Sequence, residues 1–271
     1  MKRLLAVLAV VALSGCGGVG ELSLTTWGEE YIEQEIPATE FEDGFTVRYT
    51  KFLVVIKDFT LATKTGMKGP SQTGPLVVDV NKLGPIELQS FKNLDAIKWD
   101  RVSYGIGPSA SATGSGAVAA ADVDAMKSGG HSLWVEGSVS KMGVSKTFSW
   151  KFDIDTAYTE CTNPDFGEGV TVPTGGKAEV QLTIHGDHLW YDDLQSPDAK
   201  VRGTAISAAD ANNDGVITQD ELKAVQLTSL PLGQYGTGGA SSVKNLDDFV
   251  RALGRTVGHF RGEGECVTTA K

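Results

Sequence analysis

The 271-residue sequence contains no apolar run of the roughly 20 residues that a transmembrane helix needs. Basic residues are fewer than acidic ones, 24 against 34, which argues against binding to nucleic acid and against direct adsorption to anionic lipid. Catalytic signatures are also missing: there is no Gly-x-Ser-x-Gly, His-Glu-x-x-His, phosphate-binding glycine-rich loop or Cys-x-x-Cys. These absences favour a protein that is not an enzyme.

The N-terminal residues are typical of an export signal. Two basic residues precede an apolar run at 4–13 that is too short to span a bilayer. The run ends in Leu-Ser-Gly-Cys16, which resembles the lipobox of bacterial lipoproteins, a family in which the signal is cut before a cysteine that carries lipid. The resemblance implies a signal peptide at 1–15, a lipidated Cys16 and a tether at 16–24. An ordinary secretory signal with an incidental cysteine is the alternative.

Lipidation of Cys16 leaves two cysteines, Cys161 and Cys266. Exported proteins fold in an oxidising compartment, where an even pair of cysteines favours a disulfide. In the chain-entropy model, closing a loop of about a hundred residues stabilises a protein by on the order of 4–5 kcal/mol. This bond would tie the C-terminal tail to the body.

Alternating polar and apolar residues predict many short strands in the first two thirds of the chain. The clearest strand is 147–154, and 132–140 forms a hairpin with it through Met142-Gly143. The strand at 47–56 changes phase near Lys51, which indicates a bulge. Further strands are expected at 76–80, 85–91, 97–106 and 177–185, and a short helix at 118–126. The pattern favours a mainly β fold with an antiparallel β-sandwich body at 25–195.

The last third changes to a helical period. Ser196-Pro197 is a good helix start, and we expect a helix over 198–209. Asn245 and Asp248 form a cap for another helix. The apolar face predicted for that second helix consists of Leu246, Phe249, Val250, Leu253, Val257 and Phe260.

Residues 210–221 (DANNDGVITQDE) closely resemble the twelve-residue EF-hand loop. Calcium is a hard cation that takes six to eight oxygen ligands, and every ligand position of the loop is filled. The predicted ligands are Asp210, Asn212, Asp214, the Val216 carbonyl, Thr218 through water and a bidentate Glu221. Residues 196–271 are therefore predicted to form a helical EF-hand subdomain with a structural, constitutively filled calcium site.

EF-hands usually occur in pairs, and the sequence offers one degenerate partner. A second twelve-residue frame starting at Gly236 places Val243 at its eighth position and has no other usable ligand. The hypothesis is that Val243 pairs with Ile217 of the EF-hand loop. Backbone hydrogen bonds between these two residues would support it.

A second group of metal-ligating residue types lies at His185-Gly-Asp187-His188. Two histidines three residues apart with carboxylates nearby suit zinc or copper. The strand phase places His185 on the solvent face. His131 and His259, the other two histidines, would complete a site if the fold brings them close. The alternative is a polar turn whose histidine and aspartate side chains cap each other, because two histidines are too few for a committed ligand set.

Residues 49–61 (YTKFLVVIKDFTL) and 96–107 (AIKWDRVSYGIG) are similar to segments of the methanobactin-associated copper-protein family. Proteins of that family are exported, rich in β structure, and bind copper through histidine, with an oxidised tryptophan in some members. The resemblance covers less than half of the chain and leaves out its EF-hand third. It implies copper as a candidate ion without assigning a ligand.

Two functional hypotheses follow. The first is a non-enzymatic, membrane-anchored lipoprotein with a structural calcium ion. The second is a copper- or zinc-handling lipoprotein that uses the histidine cluster, with calcium only stabilising the fold. Gly17 stands where some lipoproteins carry the aspartate that retains them in the inner membrane, so we expect outer-membrane placement, facing the periplasm or the surface. The expected partners are the membrane, through the lipid, and calcium; no protein partner is indicated.

Overall fold

The computed structural model describes residues 17–271. The predicted signal peptide at 1–15 and the lipidated Cys16 lie outside the described residues. The strands are β1 (Val19–Trp27), β2 (Thr46–Ala62), β3 (Lys68–Ser71), β4 (Leu76–Asp79), β5 (Ile86–Asp95), β6 (Lys98–Trp99), β7 (Arg101–Ile106), β8 (Thr113–Gly114), β9 (Leu133–Lys141), β10 (Val144–Phe152), β11 (Thr156–Asn163), β12 (Gly167–Glu168), β13 (Val170–Thr171), β14 (Lys177–Ile184), β15 (Val216–Ile217), β16 (Gly258–Phe260) and β17 (Glu265–Ala270).

Helices are short. The α-helices are α1 (Glu29–Glu33), α2 (Ala120–Gly129), α3 (Thr204–Ala208), α4 (Gln219–Ala224) and α5 (Leu246–Leu253), with 3₁₀ turns at Asp187–Trp190, Leu227–Ser229 and Gly254–Thr256. From residue 17 onward, no helix has both the length and the apolar character that crossing a bilayer requires. The fold is mainly β, as the alternating pattern predicts.

Two sheets contribute to one main hydrophobic core. The smaller sheet has the order β16–β14–β1–β5, in which β1 runs parallel to β14 and the other pairs are antiparallel. The larger sheet runs β12–β11–β7–β2–β9–β10–β15, with β17 beside β11 and with β3 and β4 beside β2. Buried apolar residues of both sheets belong to a single cluster, and a second, smaller cluster lies where α2 covers β2, β4 and β9.

Several local predictions are confirmed. The β9–β10 hairpin turns at Met142-Gly143, both with φ > 0, as a tight turn that matches strand twist requires. The register of β2 against β9 shifts between Tyr49 and Lys51, which is the predicted bulge. The Asn245 side chain accepts a hydrogen bond from the Asp248 amide and caps α5. Cys161 and Cys266 form the predicted disulfide.

Other predictions are wrong, each because a long-range contact decides the local structure. The segment predicted as a tether at 16–24 enters β1, where parallel pairing with β14 satisfies its backbone. The predicted helix at 198–209 shrinks to α3, because Val201 forms bridges with Phe41 and Tyr191 that keep the chain extended. The helical subdomain at 196–271 also contains strands, since β16 and β17 join the two sheets of the body.

Candidate metal centre

Three of the four histidines of the chain meet where β14 ends. Strand β16 pairs antiparallel with β14, with His259 opposite Thr183, and the His185 amide donates to the Val257 carbonyl at 2.8 Å. His188 follows in the 3₁₀ turn at Asp187–Trp190. One nitrogen from each of His185, His188 and His259 lies within 4.8 Å of the others. Of the two further histidines that the sequence offered, His259 joins the cluster and His131 does not.

The structure corrects the expectation that His185 faces solvent. His185 is 6% exposed and His259 is 5% exposed. His185 is buried because the rings of His188 and His259 pack against it, with centroids 5.4 Å and 4.1 Å away. His259 reaches this position from β16, more than seventy residues later in the chain. Strand alternation reports which face a side chain takes, but a distant segment decides whether that face is open.

Two of the clustered histidines carry ring nitrogens that have no hydrogen-bond partner. His185 Nε2 and His259 Nδ1 are both buried, and no donor or acceptor of the described chain reaches either atom. Buried polar atoms are nearly always hydrogen-bonded, and leaving one unpaired costs about 1–3 kcal/mol. Both nitrogens belong to rings whose centroids lie 4.1 Å apart, and both are available as ligand atoms.

The third histidine has a fixed tautomer. His188 Nδ1 lies 2.9 Å from Thr256 Oγ1, and the Thr256 hydroxyl donates its single proton to the Leu253 carbonyl at 2.8 Å. The hydroxyl must therefore accept from His188, which places the imidazole proton on Nδ1. His188 Nε2 is left with a free lone pair, and a hydrogen bond at the other ring nitrogen is the usual support of a metal-bound histidine.

Burial keeps the three imidazoles neutral. It lowers the pKa of His188 well below its usual range, and His259 and His185 lower that pKa further. Burial is also the largest cause lowering the pKa of His185 and of His259, against the opposing effect of nearby carboxylates. Metal ions bind neutral imidazole, so these groups need not lose protons to bind a metal at neutral pH.

Carboxylates that the sequence patterns did not single out surround the cluster. Glu29 Oε2 lies 3.6 Å from His185 Nε2, and Glu265 Oε1 lies 4.0 Å from His259 Nδ1. Glu29 and His185 also form a second potential metal-binding group with Glu263. Burial, followed by the charges of Glu263 and Asp187, raises the pKa of Glu29 to about 7. Glu29 precedes His185 by more than 150 residues, so no local pattern could have joined them.

The turn that carries His185 and His188 is anchored by a buried tyrosine. Tyr49 donates to the Gly186 carbonyl at 2.7 Å and accepts from Trp190 Nε1 at 2.9 Å. A Cβ on Gly186 would lie 2.6 Å from Ile32 Cγ1, so only glycine fits there. Trp190 is itself buried, and these contacts fix the backbone of the turn that carries both histidines.

Asp187, the third residue of the predicted histidine cluster, stays outside both potential metal-binding groups of the described chain. Its Oδ2 accepts from the Tyr191 hydroxyl at 3.0 Å, while its buried Oδ1 has no hydrogen-bond partner. A cleft of about 320 Å³ whose lining includes His188 and His259 connects the cluster to the surface.

The EF-hand-like loop at 210–221 contains two residues with φ > 0 and leads into α4. Asn213 and Gly215 have φ of 60° and 83°, and Thr218 with Glu221 forms the capping box that begins α4. Within this loop, however, the carboxylates of Asp210, Asp214 and Glu221 do not all gather within 4.8 Å of one another, in contrast to the histidine nitrogens. The loop oxygens instead accept hydrogen bonds from the loop's own amides, as Asn212 Oδ1 does from Asp214 at 2.8 Å.

The partners of the loop are residues of the β body. Ile217 pairs with Phe148 in β10 and its carbonyl accepts from Trp150 Nε1, so the hypothesis that Ile217 pairs with Val243 is wrong. Lys146, also on β10, places its ammonium 3.0 Å from the buried Asp210 carboxylate. A fixed positive charge therefore lies on the first predicted calcium ligand.

Comparisons with known proteins add little. No protein-family model matches the chain, and no curated protein matches it in sequence. A solved structure, MbnP from Methylosinus trichosporium, is similar over 70% of this chain and 83% of its own, at 10% identity and a TM-score of 0.38. A structural similarity this weak does not indicate a function.

Proposed function

We propose that this protein is a non-enzymatic metal-binding protein whose main site holds one transition metal ion, zinc or copper, on His185, His188 and His259. The observation that carries the proposal is the set of three convergent imidazole nitrogens. Two of the three histidines also carry a buried ring nitrogen without a hydrogen-bond partner, and Thr256 fixes the tautomer of the third. Three histidines with an open position form a ligand set that zinc and copper accept.

The histidine centre is the better-supported of the two sites. Its ligand atoms already converge, whereas the carboxylates of the EF-hand-like loop do not. Copper or zinc handling, the second functional hypothesis from the sequence, is therefore the primary proposal. Calcium at 210–221 is a second, structural role, favoured by the glycine turn and the capping box of the loop.

We also propose that the protein is attached to a membrane outside the cytoplasm. A lipidated Cys16 would hold the body at a membrane outside the cytoplasm, most simply the outer membrane. The Cys161–Cys266 disulfide supports an oxidising compartment, because such bonds are rare in the cytosol. An extracytoplasmic protein of this design would bind or carry metal ions near the membrane surface.

Titration of chelator-stripped protein with Zn²⁺ tests the proposed function. We expect one equivalent to bind per chain, and the affinity to fall only at a pH below the usual titration range of imidazole, because burial lowers the pKa of all three histidines. Elemental analysis after gel filtration gives the stoichiometry. Retention of no zinc or copper after loading would refute the proposed centre.

A lysine variant tests the calcium loop separately. Because Lys146 contacts the Asp210 carboxylate, Lys146→Met removes a positive charge that opposes a dication. We expect calcium affinity to rise by about tenfold, measured by calorimetry on stripped protein. Lys141→Met on the neighbouring β9 strand is the matched control, since Lys141 contacts the Phe45 ring instead. Equal calcium affinities in both variants and wild type would show that Lys146 does not compete for the loop.

A further inference from the structure

We propose that Glu29, His185 and Glu263 form a second cation site, which binds a hard divalent ion such as Mn²⁺ as an alternative to an ion at the histidine centre. One ligand atom of each of these residues lies within 4.8 Å of the other two. The site shares His185 with the proposed histidine centre, but its own binding does not depend on His188 or His259. Two carboxylates and one imidazole are a harder ligand set than three imidazoles.

The smaller sheet brings the three residues together. Its parallel strands β1 and β14 pair as far as Thr183, and both chains then continue for two residues, to Glu29 and to His185. The turn that follows β16 carries Glu263 and is bound to the same strand, because the Gly262 amide donates to Thr183 Oγ1 at 2.7 Å. Residues from three distant parts of the chain therefore meet at one edge of this sheet.

His185 distinguishes this site from an ordinary cluster of surface carboxylates. Its side chain is 6% exposed, and its Nε2 is buried without a hydrogen-bond partner. That nitrogen lies 3.6 Å from Glu29 Oε2, which is beyond a normal hydrogen bond. Two ligands at about 2.0–2.2 Å from one ion lie about 2.8–3.6 Å apart at bond angles between octahedral and tetrahedral. A shared ion would therefore satisfy the buried nitrogen and the carboxylate together.

Basic side chains do not neutralise the carboxylates of this site. No lysine or arginine in residues 17–271 forms an ion pair with Glu29 or Glu263. The buried Oδ1 of nearby Asp187 is a further oxygen without a hydrogen-bond partner. Burial, followed by the charges of Glu263 and Asp187, raises the pKa of Glu29. A bound dication would offset this repulsion between like charges.

His185 makes the two sites alternatives to each other. The unpaired Nε2 that faces Glu29 is also the nitrogen that His185 contributes to the proposed histidine centre, and one ring nitrogen has one lone pair for one ion. An ion held by Glu29 and Glu263 therefore leaves two histidines at the histidine centre. Carboxylate oxygen suits Mn²⁺, whereas imidazole suits zinc and copper, so the two ligand sets favour different ions.

Electron paramagnetic resonance of Mn²⁺ tests the second site, because the ion free in solution gives a strong signal that binding to protein diminishes. The titration contains excess Ca²⁺, which fills the oxygen-rich loop at 210–221 and keeps Mn²⁺ from binding there. We expect Glu29→Gln and Glu263→Gln each to weaken Mn²⁺ binding by at least about tenfold. Glu30, the exposed neighbour of Glu29 on α1, supplies the matched control, and Glu30→Gln should bind Mn²⁺ like the wild type.

Zinc affinities of matched variants separate this site from the histidine centre. His188→Ala should keep its Mn²⁺ affinity and lose zinc affinity, Glu263→Gln should do the reverse, and His185→Ala should lose both. One equivalent of Zn²⁺ should release the Mn²⁺ bound to wild-type protein, because both ions need His185. Circular dichroism of the metal-free variants checks that each retains the fold.

The outcomes distinguish failure of this site from failure of the proposed function. Equal Mn²⁺ affinity in wild type, Glu29→Gln and Glu263→Gln would overturn the second site, and so would a wild-type protein that binds no Mn²⁺. Retention of Mn²⁺ beside one equivalent of bound zinc would overturn the sharing of His185. If Mn²⁺ binding needed Glu263 in a protein that takes neither zinc nor copper, this site would stand and the proposed function would fail.

Discussion

Replacing His188 or His259 by alanine is expected to weaken zinc binding by at least about 100-fold. Loss of an outer-shell partner alone typically costs 10–100-fold in metal affinity, so loss of a direct ligand should cost more. The effect should be similar for either residue, because each supplies one of the three converging nitrogens. Competition with a zinc-binding dye measures the affinities.

The remaining histidine provides the control. His131 follows α2 and lies outside the cluster, so His131→Ala removes an imidazole without touching the centre. It should bind zinc like the wild type. Metal-free His259→Ala should keep its fold, because it deletes a buried nitrogen that has no hydrogen-bond partner to lose, whereas His188→Ala also loses the bond to Thr256. A His259→Ala protein that binds zinc as tightly as His131→Ala would exclude His259 as a ligand.

Removing the disulfide is expected to lower the free energy of unfolding by about 4–5 kcal/mol. Cys161 lies on β11 and Cys266 on β17, and the bond closes a loop across a sequence separation of 105 residues. In the chain-entropy model, the stabilisation comes from restricting the unfolded chain and grows with loop length. Denaturant unfolding of a Cys161→Ala, Cys266→Ala protein measures the change.

Reduced wild-type protein is the comparison for this variant, because it lacks the same bond without any substitution. The two should unfold at similar denaturant concentrations. The crosslink also lies seven residues after His259, so its loss should loosen the segment that carries this ligand. A double variant within about 1 kcal/mol of the oxidised wild type would mean that the bond stabilises little, as some disulfides do.

Local sequence signals predicted local structure well. The alternation of Phe148, Trp150 and Phe152 identified a strand with one buried face, and these residues are at most 3% exposed. The phase slip near Lys51 identified a real bulge, and Asn245 identified a helix start. In each case the residues that carry the signal also make the interactions that fix the structure.

The histidine centre depended on contacts between distant parts of the chain. The phase of β14 indicated a solvent-facing His185, but the long-range pairing of β16 with β14 brings the His259 ring against it and contributes to its burial. His259 was available as a candidate because histidine is rare in this sequence. Glu29 offered no such signal, since its position depends on the parallel register of β1 with β14.

X-ray absorption spectroscopy at the zinc edge of the loaded wild-type protein tests the three-histidine centre most directly. The ligand set assigned here predicts a four-coordinate shell of nitrogen and oxygen at about 2.0–2.2 Å, with outer-shell scattering from about three imidazoles. A sulfur shell at about 2.3 Å, or scattering from fewer than two imidazoles, would contradict it.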